Sequence, residues 1–93
     1  MNIAIFDSGI GGLSVLYQAR RMLPEAHFLY YADEDHVPYG EKTREQILTY
    51  TDEAVRFLID RGADAIVLAC NTATSAAAAT LRDRYPLPII GME

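Results

Sequence analysis

Cysteine occurs once in these 93 residues, at Cys70. No disulfide can close within the chain, and no cysteine-rich metal site can be built. The two histidines, His27 and His36, have no metal-ligand spacing to any partner, so no metal and no other cofactor is expected. Cations are few and scattered: eight Lys and Arg against 13 Asp and Glu leave a net charge of −5. Phosphate binding needs clustered Lys and Arg, so nucleic acid is not an expected partner. No run approaches the roughly 18 apolar residues of a membrane span, and the N-terminus lacks the basic start of a signal peptide. Low-complexity tracts are missing too, while 51% of the residues are hydrophobic, which argues against disorder. What remains is one small domain, expected in the reducing cytoplasm and burying somewhat over about 60% of its unfolded surface.

The one cysteine sits in the most informative stretch, Ala65-Ile66-Val67-Leu68-Ala69-Cys70-Asn71-Thr72-Ala73-Thr74, which leads into Ser75-Ala76-Ala77-Ala78-Ala79-Thr80-Leu81. A short apolar run followed by helix formers reads as a buried parallel strand feeding a helix. Cys70 then stands at the carboxyl end of the strand, near unpaired N–H groups and the positive end of the helix dipole, which favour a thiolate. Taken alone, a free cysteine is as well explained as a small buried hydrophobe.

The rest of the chain alternates in the same way. Asn2 to Phe6 reads as a first strand and Asp7-Ser8-Gly9-Ile10-Gly11-Gly12 as the turn after it. Leu13, Leu16, Tyr17, Arg20 and Leu23 follow at helical spacing until Pro24. His27 to Tyr31 reads as a second strand, followed by an acidic loop, Asp33-Glu34-Asp35-His36, and by Val37-Pro38-Tyr39-Gly40. Thr43 with Gln46 forms a capping box opening a second helix, with Gly62 as its C-cap. The alanine-rich helix should run to Tyr85 and stop at Pro86. Leu87 to Gly91 reads as a fourth strand, placed near an edge by Pro88.

The order βαβαβαβ predicts an α/β fold with a parallel sheet and right-handed crossovers. In the flavodoxin-like order 2-1-3-4, the switch point falls between strands one and three, where ligands of open sheets bind. Their carboxyl ends carry Asp7-Ser8 and Cys70-Asn71-Thr72. The first helix would cover one face alone while the other two share the opposite face. One face is thus short of cover, which predicts a piece of a larger protein or association through that face.

Each motif also has a plainer explanation. The glycine turn could cradle an anion or be a tight turn capped by Asp7 or Ser8, and it is neither GxGxxG nor a P-loop. The Val37 to Gly40 segment could lay a tyrosine and exposed backbone over a ligand, or simply be a turn. Asn71 and Thr72 could cap the third helix or hydrogen bond a substrate's carboxylate or ammonium. The acidic stretch 33–35 reads as a solvated loop, without the regular oxygen spacing of a metal site.

Together, Phe6-Asp7-Ser8-Gly9-Ile10-Gly11-Gly12, Val37-Pro38-Tyr39-Gly40 and Ala69-Cys70-Asn71-Thr72-Ala73-Thr74 resemble the glutamate racemases of the aspartate/glutamate racemase superfamily. Their order and spacing match across essentially the whole chain. The resemblance implies the N-terminal half of an enzyme with two similar three-layer domains and the site between them. It implies two cysteines on opposite faces of the substrate's α-carbon, one taking a proton and the other delivering one, without cofactor or metal. Cys70 would be the first of the pair, assisted by Asp7, while Asp7, Ser8, Tyr39, Gly40, Asn71 and Thr72 would bind the amino acid. The second cysteine, with its Thr and His neighbours, belongs to a C-terminal domain beyond these residues. A further departure is the loop before Val37, where the family's Gly-Asp pair and arginine are replaced by Ala32-Asp33-Glu34-Asp35-His36. The leading expectation is glutamate racemisation supplying D-glutamate for peptidoglycan. Rivals are another superfamily enzyme, such as an aspartate racemase, and a non-catalytic module binding an anion or a protein. A homo-oligomer pairing two Cys70 thiols across one cleft is a further alternative.

Overall fold

A computed structural model describes residues 1–9 and 13–91. Its elements are β1 (Asn2–Asp7), α1 (Leu13–Met22), β2 (His27–Ala32), α2 (Arg44–Asp60), β3 (Ala65–Leu68), α3 (Asn71–Arg84) and β4 (Ile89–Gly91). Two single 3-10 turns, Glu34–His36 and Tyr39–Glu41, lie between β2 and α2. All four strands are parallel, in the order β2-β1-β3-β4. This is the order expected from the sequence, and Ile3 is paired with Phe28 on one side and Ala65 on the other.

Strand alternation divides the sheet's faces. Ala4, Phe6, Ile66 and Leu68 join one core with Val55 and Leu58 of α2 and Ala77 and Leu81 of α3. Ile3 and Ile5 are buried as well, but they fall on the alternate positions and outside that core. Only α1 is left to cover this second face, and none of its residues is buried. Tyr17 is 66% exposed and Met22 77%. At the other end of the sheet, Ile90 is 54% exposed. The face that the helix count marks as short of cover is thinly covered among the described residues.

The helix ends follow local chemistry. Thr43 Oγ1 accepts from the Gln46 N–H at 3.1 Å, and Gln46 Oε1 accepts from the Thr43 N–H at 2.9 Å, which is the expected capping box. Gly62 ends α2 with φ +94°, where other residues are strained, and donates its N–H to Ile59 O. At the far end of α3, the Tyr85 hydroxyl donates to Asp52 of α2 at 2.8 Å, with Arg84 3.3 Å from the same oxygen. The fourth strand begins at Ile89 rather than Leu87. Pro88 has no N–H for the ladder, and it contributes only its carbonyl, which accepts from the Ile66 N–H at 2.9 Å.

Beside β3, Gly91 packs directly under α3. A Cβ there would lie 2.3 Å from Thr74 Cγ2, deep inside contact distance. Gly91→Ala is therefore expected to cost about 1–3 kcal/mol by overpacking. Urea unfolding followed by circular dichroism would measure it, and adding Thr74→Ser, which deletes the clashing methyl, should recover most of the loss.

Candidate active site

The sheet's ladder runs one residue past its strands. The Ala69 N–H donates to Phe6 O at 2.8 Å, and the Asp33 N–H donates to Asp7 O at 2.8 Å. The carboxyl ends of β1, β2 and β3 are thereby locked side by side, which brings Asp7, Asp33 and Cys70 to one end of the molecule. In open α/β sheets this is the end where ligands bind.

Cys70 is the N-cap of α3, in extended conformation. Its Sγ accepts from the Ala73 N–H at 3.5 Å and lies 3.4 Å from Ser8 Oγ. Its carbonyl accepts from both the N–H and the hydroxyl of Thr74, which pins the strand-to-helix corner. The residue is 9% exposed. Asp7, 5% exposed, accepts the Ser8 N–H on Oδ1 at 2.8 Å, which aims the backbone that carries the Ser8 hydroxyl toward the sulfur. Ser8 thus meets the thiol through its hydroxyl and the Asp7 carboxylate through its N–H, at the neighbouring ends of β1 and β3. Of the glycine turn, Gly9 accepts from the Tyr30 hydroxyl, while Ile10, Gly11 and Gly12 lie outside the described residues.

A second group surrounds a cleft of about 390 Å³, whose walls include Tyr39, Gly40, Asn71, Thr72, Lys42 and Arg44. Asn71 and Thr72 are exposed on the first turn of α3, and Gly40 is exposed on the facing 3-10 turn. Tyr39 is oriented differently from what its motif suggests. Its ring is 3% exposed, between Phe6 and Tyr50, and its hydroxyl donates inward to Asp33 Oδ2 at 2.6 Å. The segment thus offers the cleft the exposed Gly40, with the tyrosine's hydroxyl directed into the protein.

Asp33 is the residue that sequence reasoning missed. The acidic stretch was expected to be solvated, yet Asp33 is 6% exposed, while Glu34 and Asp35 remain on the surface. Besides Tyr39 it is held by His36, whose Nδ1 lies 2.8 Å from both carboxylate oxygens and whose ring stacks on Tyr50 at 3.7 Å. A usable signal existed. Asp33 stands at the carboxyl end of β2, one residue past it, as Asp7 stands at the carboxyl end of β1, so the argument that singled out Asp7 applies to it equally.

Burial pushes the Tyr39 hydroxyl far above its ordinary pKa of 10.0, reinforced by its bond to the Asp33 carboxylate and by the nearby Cys70 sulfur. Tyr31 and Tyr85 are also raised, mainly by burial. In the unfolded chain these phenols lose their protons near pH 10, while folding holds the protons to higher pH, that of Tyr39 most strongly. The unfolded state then binds fewer protons, so stability is complete below pH 10 and falls as the pH rises beyond it. Urea midpoints at about pH 9 and pH 11 should show this fall, and Tyr39→Phe should make it shallower.

Among the described residues, no cluster of three His, Cys, Asp or Glu is arranged to hold a metal ion. No described helix is long and apolar enough to cross a membrane.

The sequence profile of the Asp/Glu/Hydantoin racemase family matches residues 14–93. Over all 93 residues the chain is 66% identical to a glutamate racemase of Lachnospira eligens and 62% identical to one of Campylobacter curvus, covering 35% of each. Among solved structures, the glutamate racemase from Aquifex pyrophilus superposes with a TM-score of 0.95 at 42% identity, over 98% of this chain and 36% of that one. The Thermus thermophilus glutamate racemase, in complex with beta-chloro-D-alanine, gives a TM-score of 0.92 at 46% identity, over 97% and 35%. The chain thus spans about a third of the length of the relatives it matches. Profile, sequence and fold agree, and the chain belongs to the Asp/Glu/Hydantoin racemase family.

Proposed function

We propose that this chain supplies one thiol of a cofactor-independent, two-cysteine racemisation of glutamate, carried out in the cytoplasm to provide D-glutamate for peptidoglycan. The observation that carries this reading is the setting of Cys70. Its sulfur caps α3, accepts the Ala73 N–H and meets the Ser8 hydroxyl, so one polar hydrogen is already directed at the atom that would bear the charge of a thiolate, and the hydroxyl can donate a second to the anion. In the reaction, that thiolate takes the α-proton from one face of the amino acid. The electron pair passes into the substrate's carboxylate, and a second cysteine, from the chain beyond residue 93, returns a proton to the other face. Carbanion-like charge is best stabilised by fixed donors. Asn71 and Thr72, exposed on α3's first turn at the positive end of its dipole, suit the substrate's carboxylate. Ser8 and the Gly40 backbone suit its remaining polar groups, with Tyr39 supporting that wall from behind. Asp7 orients Ser8 and assists proton transfer at Cys70. The glutamate racemase relatives favour glutamate over the other substrates of the family.

The test uses the chain extended to the length of its relatives, with D- and L-glutamate and D- and L-aspartate in D2O, watched by proton NMR and circular dichroism. Loss of the α-hydrogen signal with inversion is expected for glutamate. Inversion of aspartate alone would transfer the assignment to an aspartate racemase. Inertness toward both would leave an anion-binding or interaction module.

A further inference from the structure

The two 3-10 turns between β2 and α2 have little to hold them. A single 3-10 turn is weak by itself, because one or two hydrogen bonds do not repay the ordering of its backbone. Neither turn has a side-chain cap, and Tyr39 is the only buried residue in either. The wall of the cleft is nevertheless built from the second turn. Its position must come from the anchors of its neighbours, and these converge on one carboxylate. Asp33 is fixed through its N–H to the end of β1, receives the Tyr39 hydroxyl at 2.6 Å, and is closed over by His36, itself stacked flat on Tyr50 of α2.

We propose that Asp33 is a positioning residue, whose buried carboxylate, clamped by His36, holds Tyr39 and so fixes the Gly40 backbone at the cleft wall. A bond of 2.6 Å from a phenol to a carboxyl oxygen is short, and burial excludes the water that would compete for it. The consequence for catalysis rests on the racemase reading above. Asp33 touches no reacting atom, so its contribution belongs to substrate binding more than to the chemical step. Tyr39 is its means of action, which makes the two residues a single unit.

The test is a double-mutant cycle in the extended chain: Asp33→Ala, Tyr39→Phe, and both together. Each single substitution should raise KM for glutamate by about tenfold and change kcat by less than about threefold, and the double variant should be no worse than about twofold beyond either single. In parallel, amide hydrogen exchange at Glu41 and Lys42, whose N–H groups close the turn onto Pro38 and Tyr39, should quicken equally in all three variants. Asp33→Asn keeps an oxygen for the Tyr39 hydroxyl and should restore most of the binding, which guards against a misfolded alanine variant. Effects that multiply to about 100-fold in the double variant would overturn the proposal, as would a fall in kcat at constant KM. If the unaltered extended chain converts no amino acid, the racemase reading fails, and the exchange measurement then decides on Asp33 alone.

Discussion

Replacing Cys70 by serine is expected to lower α-hydrogen exchange and racemisation by at least about 100-fold while leaving the fold intact. The two halves of this expectation come from different properties of one position. As an N-cap, serine is at least as good as cysteine, because its hydroxyl can take over the Ala73 N–H that the sulfur now receives at 3.5 Å. The position is nearly buried at 9% exposure, and the exchange of sulfur for oxygen shrinks the side chain without adding a charge. Stability should therefore stay within about 1 kcal/mol. As a base, serine is a poor substitute. A thiol gives an anion at accessible pH, whereas an alcohol in the same place does not without a partner base. Melting temperature and NMR exchange in D2O, measured on the same sample, separate the two effects. Exchange that persists in a well-folded Cys70→Ser variant would remove Cys70 from the chemistry and return it to the role of a small core residue.

Phe6→Ala is expected to be the most damaging core substitution, costing about 3–5 kcal/mol. Phe6 is fully buried in the strand that pairs on both sides. Its ring lies 5.9 Å from that of Tyr31 and 6.3 Å from that of Tyr39, so it is the floor on which the cleft's tyrosine rests. Such a loss is a large part of the 5–15 kcal/mol that holds a typical domain together. At about 4–8 °C per kcal/mol for a chain of this size, the melting temperature should fall by more than about 10 °C. Phe6→Leu, which fills much of the space, should cost under about 2 kcal/mol. Tyr17→Ala, on the exposed side of α1, should stay within about 0.5 kcal/mol. A Phe6→Ala loss below 1 kcal/mol would mean that the aromatic stack is not part of the stabilising core.

The strand order and the meeting of Ser8 with Cys70 were legible because both depend on local patterns that cannot easily mean anything else. An apolar run of four or five residues before a polar corner marks a strand end, and right-handed crossovers then leave few ways to lay the strands down. The capping box at Thr43 and the glycine at position 62 were legible for the same reason, since each is satisfied within a few residues. Asp33 and Tyr39 were not. A carboxylate's burial depends on what folds over it, and here that is a phenol six residues onward and an imidazole stacked on a different helix. The length of β4 failed in a simpler way: the apolar letters continue back to Leu87, but the ladder needs a donor that Pro88 lacks.

The central place of β1 also has a consequence in time. Its partners are β2 on one side and β3 on the other, and about 60 residues separate its end from the start of β3. At a synthesis rate of about 5–20 residues per second, β1 waits roughly 3–12 s for that strand, and the completed β1–β2 pair, about 32 residues ahead of it, roughly 2–6 s. During that interval Ile5 and Phe6 belong to a two-stranded parallel ribbon with an open edge, the kind of surface that draws in foreign strands. The nascent chain is thus most vulnerable before β3 and Cys70 have been synthesised, and any factor that shields nascent chains has its strongest hold on the first 60 residues.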